Sequence, residues 1–476
     1  MNFAELRFWE LLTGALAFVL VLRAALPRLC LSAFRSEKWA ATLDRGGLLF
    51  VGLVLLLAVS RVTFLIFLIV AVGTYLGLAL ILRLHGRAPR RYLLVLLPLQ
   101  LLPLFYYKYA GFLARDVLGW QFDTLQHLII PVGISFYTFQ KVAFVLDTLA
   151  FQQPLPRFLD YMNFAGFFPQ IVAGPIERRK DLLPQMESFR FSWKPEAINA
   201  GASWIALGFF FKAGLADNLA LYFRPAAAAA AGNAYLIWIN NLLFGLRIYY
   251  DFAGYSFIAL GLARLLGVQL TLNFASPYCA GSITEFWRRW HITLSQWFRD
   301  YVYFPLGGGR QPWWAANVLI VFLVSGVWHG AGWNFVLWGA LHGIYLVLNR
   351  LLGPRLRLPV FLGWAITLAA TFLAWLCFYE TDVTTLLLKL RALFTPGAYS
   401  LVHLHAVSAQ WIGRDLFVLA CFLALSLATF LGEWRSLRRG GEPLVLLRQP
   451  AVLFVLVVLT VLLAPGKSNG FIYFAF

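Results

Sequence analysis

Residues Ser282 to Gly343 read SITEFWRRWHITLSQWFRDYVYFPLGGGRQPWWAANVLIVFLVSGVWHGAGWNFVLWGALHG. Three of the chain's seven histidines, His291, His329 and His342, sit here among tryptophans, arginines and glycines. The rest is mostly Leu, Ala, Val and Phe. Of 476 residues 61% are hydrophobic and 13% charged, and the mean hydropathy is +0.74. A soluble domain is about a quarter charged, so the chain reads as an all-α polytopic membrane protein. Ionisable groups at membrane depth are costly and point to function by default.

Within this stretch, Glu285–Tyr303 reads as one amphipathic helix. Phe286, Trp290, Leu294, Trp297 and Tyr301 fall on one face, and Arg288, Ser295 and Arg299 on another. A basic, aromatic helix of this kind suits the membrane interface. Glu285 can pair with Arg288 or Arg289, and Trp287 stands one turn before His291, within reach of its ring. Arg288 and Arg289 are candidate phosphate or donor ligands, with snorkelling toward lipid headgroups as the competing role. Pro305-Leu-Gly-Gly-Gly-Arg310 ends the helix. An apolar helix from Trp314 then leads to Ser325-Gly-Val-Trp-His-Gly330. Gly326 and Gly330, then Gly339 and Gly343, allow another backbone to approach closely. His329, surrounded by Trp, Gly and Ala, can act as a general base in a dry site. Asn334 can orient it or a substrate carbonyl. His342 reads as a packing residue.

Working outward, further apolar runs include Phe8–Leu26, Gly47–Val59, Val62–Leu82, Tyr92–Leu113, Gln126–Leu149, Phe158–Ala173, Ile198–Tyr222, Tyr235–Tyr250, Phe257–Val268, Val360–Phe378, Leu416–Gly432 and Ala451–Leu463. The first lacks a basic flank and cleavage pattern, so it reads as a retained helix. Several runs are short enough to be re-entrant, above all Phe158–Ala173, which Gly166 and Pro169 interrupt. The whole chain, 1–476, reads as one membrane domain with its motif-bearing core at about 126–352. Polar groups interrupt three of the runs. Gln140 lies in PVGISFYTFQ, Gln170 in FFPQIVAGP and Asp251 in YYDFAGYS. Such groups either bond across helices or mark broken helices around an internal cavity. Three in one chain favour the cavity.

The net charge of +18 could indicate nucleic acid, but in a membrane protein basic residues gather in cytoplasmic loops and meet anionic lipids. The loops holding Arg35, Arg87, Arg90, Arg178–Lys180 and Arg438 are therefore expected in the cytoplasm, with the N-terminus outside. Cys30, Cys279, Cys377 and Cys421 have neither disulfide nor metal spacing, and no metal site is expected. No HExxH and no Ser-His-Asp pattern stands out. The residues alone leave an acyltransferase, a transporter and a lipid-modifying enzyme open.

The motifs ITEFWRRWHITLSQWFRDYVYFPLGGGR and GVWHGAGWNFVLWGALHG resemble the membrane-bound O-acyltransferase (MBOAT) family, and PVGISFYTFQK, FFPQIVAGPI and YYDFAGYS add to the likeness. The resemblance runs from about Pro131 to the terminal FIYFAF. It is strongest to the bacterial branch that acetylates alginate, and teichoic acid D-alanylation is the alternative within the fold. It implies a helical bundle with re-entrant and interfacial helices around a central tunnel, in the bacterial inner membrane. It makes His329 the catalytic histidine and His291 a second functional one. It implies no bound cofactor but a thioester substrate, acetyl-CoA, arriving from the cytoplasm. Its implied partners are a periplasmic esterase-like acetyltransferase and the polysaccharide synthesis machinery. Directly after YYDFAGYS, Phe257 stands where the family has an acid, leaving Asp251 as the carboxylate there.

Overall fold

The computed structural model describes residues 3–29, 36–86, 89–120, 128–225, 232–356, 358–408, 410–411, 413–439, 442–466 and 469–472. Cys30, Arg35, Arg87, Gln126 and the last four residues of FIYFAF lie outside them. All regular structure among the described residues is helical, and eight helices are long and apolar enough to cross a membrane. The chain is an all-α polytopic membrane protein.

Its principal helices in chain order are α1 (Leu6–Leu29), α2 (Glu37–Val59), α3 (Arg61–His85), α4 (Leu93–Leu104), α5 (Ile134–Leu149), α6 (Phe158–Gly166), α7 (Arg179–Glu187), α8 (Pro195–Phe209), α9 (Ala234–Leu265), α10 (Ile283–Arg289), α11 (Ile292–Phe298), α12 (Trp314–His329), α13 (Trp333–Leu356), α14 (Val360–Tyr379), α15 (Val383–Leu393), α16 (Leu401–Ser408), α17 (Arg414–Arg438) and α18 (Pro450–Leu463). Contacts group them into two compact units. One is Met1–Ile205 with Ile258–Thr271, the other Ala206–Phe257 with Leu272–Phe476.

In the first unit, buried polar groups tie helices that hydrophobic burial alone would leave free to slide. Arg45 on α2 pairs with Asp160 on α6 at 2.7 Å, and Asn163 donates to the Arg45 carbonyl at 2.9 Å. Gly52 lets α2 pass the Gly166 carbonyl so closely that a Cβ would collide with it. The run Phe158–Ala173 is broken as expected, α6 ending at Gly166 before a short turn at Phe168–Ile171. In the run Gln126–Leu149 the described residues become helical only at Ile134, after Gly133 at φ 75°.

Two readings of the sequence are corrected in the second unit. YYDFAGYS does not interrupt a helix, because α9 runs unbroken through it. Gly254 instead serves packing, its missing Cβ leaving room for the Gly208 carbonyl and the Lys212 amide. Nor is Glu285–Tyr303 one helix. It breaks between α10 and α11, where His291 adopts a left-handed conformation, φ 42° and ψ 55°. The cause is tertiary capping. Asn273 Oδ1 accepts from both the amide and the hydroxyl of Thr293, at 3.3 and 2.8 Å, and the Asn273 carbonyl accepts from Ile292 at 3.0 Å. These contacts satisfy orphan donors of the α11 N-terminus. The α10 start carries a local cap: Ser282 accepts from the Glu285 amide at 3.2 Å, and Glu285 accepts from the Gly281 amide at 2.7 Å.

Helices α12 and α13 form an antiparallel hairpin. Gly326 faces the Phe335 carbonyl and Gly339 the Phe322 carbonyl, each too close to admit a Cβ. The close approach expected from the paired glycines is present, and it brings His329, at the end of α12, against the first turns of α13.

Candidate active site

His329 is 3% exposed. Its ring lies 4.8 Å from Trp338, 4.9 Å from Trp328 and 5.3 Å from Phe378, centroid to centroid. Three aromatic walls thus surround one imidazole.

His291 is 1% exposed and packs edge-on against Phe252 at 4.8 Å. Burial pushes its imidazole down to about 3, so it is neutral at physiological pH. It faces the protein interior, as a functional role for it requires. Trp328 links the two histidines. Its ring is 6.1 Å from His291 and 4.9 Å from His329. Trp287, expected against His291, turns to His342, donating its indole N–H to Nδ1 at 3.3 Å.

The other candidate residues divide by neighbourhood. Asn334 donates to the Cys377 carbonyl at 2.9 Å, joining α13 to α14 beside His329. Arg289 pairs with Glu285 at 2.6 Å, while Arg288 is exposed. Arg289 and Glu285 line an open cleft of about 600 Å³ together with Trp364, Trp434 and Arg438. Gln140 and Gln170, in the first unit, share one acceptor. Both amides donate to the Phe164 carbonyl, at 3.0 and 3.1 Å, where α6 ends. They brace the broken run.

Asp251 belongs to a cluster the sequence reading missed. Lys212, just past α8, donates to Asp217 at 2.7 Å, to Asp251 at 2.6 Å and to the Asn469 carbonyl at 2.8 Å. The second Asp251 oxygen accepts from the Ile472 amide at 2.7 Å. Lys212 is the one ionisable residue in the apolar run Ile198–Tyr222 before Asp217. That isolation was the available signal. No cluster of three or more metal-ligating side chains occurs among the described residues.

The profile of the membrane-bound O-acyltransferase family matches residues 91–387. The chain belongs to that family. Residues 91–387 of this MBOAT protein contain both His291 and His329. It is similar to the peptidoglycan O-acetyltransferase of Helicobacter pylori, at 34% identity over 70% of this chain and 71% of the relative. It is equally similar, at 34% over 70% of this chain and 66% of the relative, to the probable alginate O-acetylase AlgI of Pseudomonas aeruginosa. The teichoic acid D-alanyltransferase of Streptococcus thermophilus aligns less fully, at 32% identity over 47% of this chain and 58% of the relative. The chain is an MBOAT O-acyltransferase.

Proposed function

We propose that this MBOAT protein takes acetyl groups from a cytoplasmic thioester, acetyl-CoA, and delivers them across the bacterial inner membrane for O-acetylation of an exopolysaccharide such as alginate or cellulose. In this reading the donor reaches His329 through a tunnel, and a periplasmic esterase-like acetyltransferase working with the polymer's synthesis machinery completes the transfer. His329 is the general base. An acceptor hydroxyl has a pKa far above neutral and attacks a thioester only as its proton is removed, a role worth about 10²–10⁴-fold in rate. The observation that carries the reading is the burial of His329 in an aromatic cage, with His291 one tryptophan away. Water is kept from the thioester there, so acyl transfer is favoured over hydrolysis. The fuller alignment with acetylating relatives supports acetyl over D-alanyl transfer.

The test is His329→Gln, which keeps a hydrogen-bonding side chain but cannot take the proton. Alkali-released acetate from the extracellular polymer and from the sacculus should fall to background in the affected fraction, at matched membrane levels. Normal acetylation by this variant would end the general-base assignment. Release of D-alanine in place of acetate would assign the D-alanyl reaction. Sidedness has its own test. Cysteines placed at the exposed positions Arg90, Lys180 and Arg438 should not react with an impermeant maleimide added to intact cells, and labelling at two of them would invert the orientation.

A further inference from the structure

Trp338 and His342 stand four residues apart on α13, so their side chains share one face of the helix. Trp338 is 1% exposed and His342 0%. The Trp338 ring lies 4.8 Å from His329 on one side and 4.8 Å from His342 on the other. Trp338 Nε1 and His342 Nε2 are both buried, and neither has a hydrogen-bond partner among the described residues. Buried polar groups are nearly always paired, and exceptions call for an explanation.

The protonation of His342 follows from its neighbour. An indole N–H can only donate. Trp287 donates to His342 Nδ1, so Nδ1 carries the lone pair and Nε2 carries the hydrogen. Two N–H donors without acceptors among the described residues therefore lie to one side of the proposed base, one on Trp338, whose ring touches His329, and one on His342, one ring further away. Acyl transfer needs such donors, because negative charge develops on the carbonyl oxygen as the acceptor attacks.

We propose that Trp338 Nε1–H and His342 Nε2–H bind the carbonyl oxygen of the acyl thioester and stabilise it as an oxyanion, while Trp287 holds His342 in the tautomer that can donate. This rests on His329 acting as the base. The acceptor oxygen forms a bond to the carbonyl carbon as its proton passes to His329, and the carbonyl π pair moves onto the oxygen held by the two N–H groups. The pair then re-forms the C=O bond, the C–S bond breaks, and the thiolate takes the proton from His329. Ester and thiol are the products, with His329 restored. His342 thereby gains a role beyond packing.

Trp338→Phe keeps an aromatic ring and removes the indole N–H together with part of the indole's bulk. With acetyl-CoA as the probe and the full-length protein in nanodiscs, kcat should drop about 10²-fold with little change in the KM for acetyl-CoA. His342→Phe should lose a comparable factor, and His342→Gln, which restores an N–H, should recover part of it. Trp287→Phe should lower kcat less than His342→Phe does, because it frees the tautomer without removing the donor. A second readout does not need turnover. In a His329→Gln background, the carbonyl band of bound ¹³C-acetyl-CoA should shift to lower frequency than in solution, and adding Trp338→Phe should reverse part of the shift. Full rates for Trp338→Phe and His342→Phe, or an unshifted band, would overturn the donor pair while leaving His329 as base. Activity in His329→Gln would instead overturn the base.

Discussion

Two buried polar groupings in the same unit of the molecule are built on opposite lines. Around Lys212, all three ammonium hydrogens have acceptors, from Asp217, Asp251 and the Asn469 carbonyl. Beside His329, the donors of Trp338 and of His342 behind it have none among the described residues. A cation and two carboxylates taken out of water need mutual satisfaction to persist. Neutral donors can be left open at a smaller cost, recovered when substrate arrives. On the proposed reading, the saturated grouping holds the fold and the open donors serve the chemistry. Asp251, a substrate-binding candidate by sequence, pairs with Lys212 and holds the Ile472 amide.

Breaking the saturated side should have the largest effect on stability. Lys212→Met leaves Asp251 and Asp217 buried without their cation, and loss of one member of such a pair costs about 3–5 kcal/mol. The protein should unfold markedly earlier in detergent melts, and any surviving fraction should keep its specific activity. A stable Lys212→Met protein with lowered kcat would place Lys212 on the chemical side of the comparison.

Glu177 sharpens the contrast, being a buried carboxylate paired mainly with neutral groups. It is 1% exposed and accepts from the Thr271 amide at 2.5 Å and hydroxyl at 3.1 Å. Burial raises its carboxyl from 4.5 to about 7. A raised acid binds its proton more tightly in the folded state, so its contribution to stability is complete below pH 4.5 and is lost as pH rises through about 7. The loss amounts to roughly 3 kcal/mol by pH 8. Glu177→Gln should remove this contribution, so the fall of melting temperature from pH 5 to 8 should become shallower. An unchanged slope would assign the pH dependence to another group.

The smallest effect belongs to the half-exposed pair Arg289–Glu285. Arg289→Ala should shift stability by no more than about 1 kcal/mol. If acetyl transfer collapses while the melt stays put, Arg289 handles the donor in its cleft, as its sequence position suggested.

The α12–α13 hairpin was legible because one-residue signals coincide there: paired glycines, apolar runs of helical length and a histidine at the junction. The break at His291 was not legible. The apolar spacing continues across it, from Phe286 through Trp290 to Leu294, and its cause is Asn273, far back in the chain. The Lys212 cluster was hidden for a similar reason. Its partners lie at 217, 251, 469 and 472, and no local pattern joins them. YYDFAGYS misled because its glycine serves packing between helices, a use that looks the same in sequence as a break.

The left-handed backbone at His291 has a practical consequence. Its ring is aimed by a bend in the chain rather than by rotamer choice, so its direction depends on the number of residues between Arg289 and Ile292. Alanine there removes the ring but keeps the left-handed strain of about 1–2 kcal/mol that His291 already carries, whereas glycine removes the ring and relaxes the bend. The difference between the natural protein and the alanine variant measures the imidazole, and that between alanine and glycine measures the corner on which it is mounted.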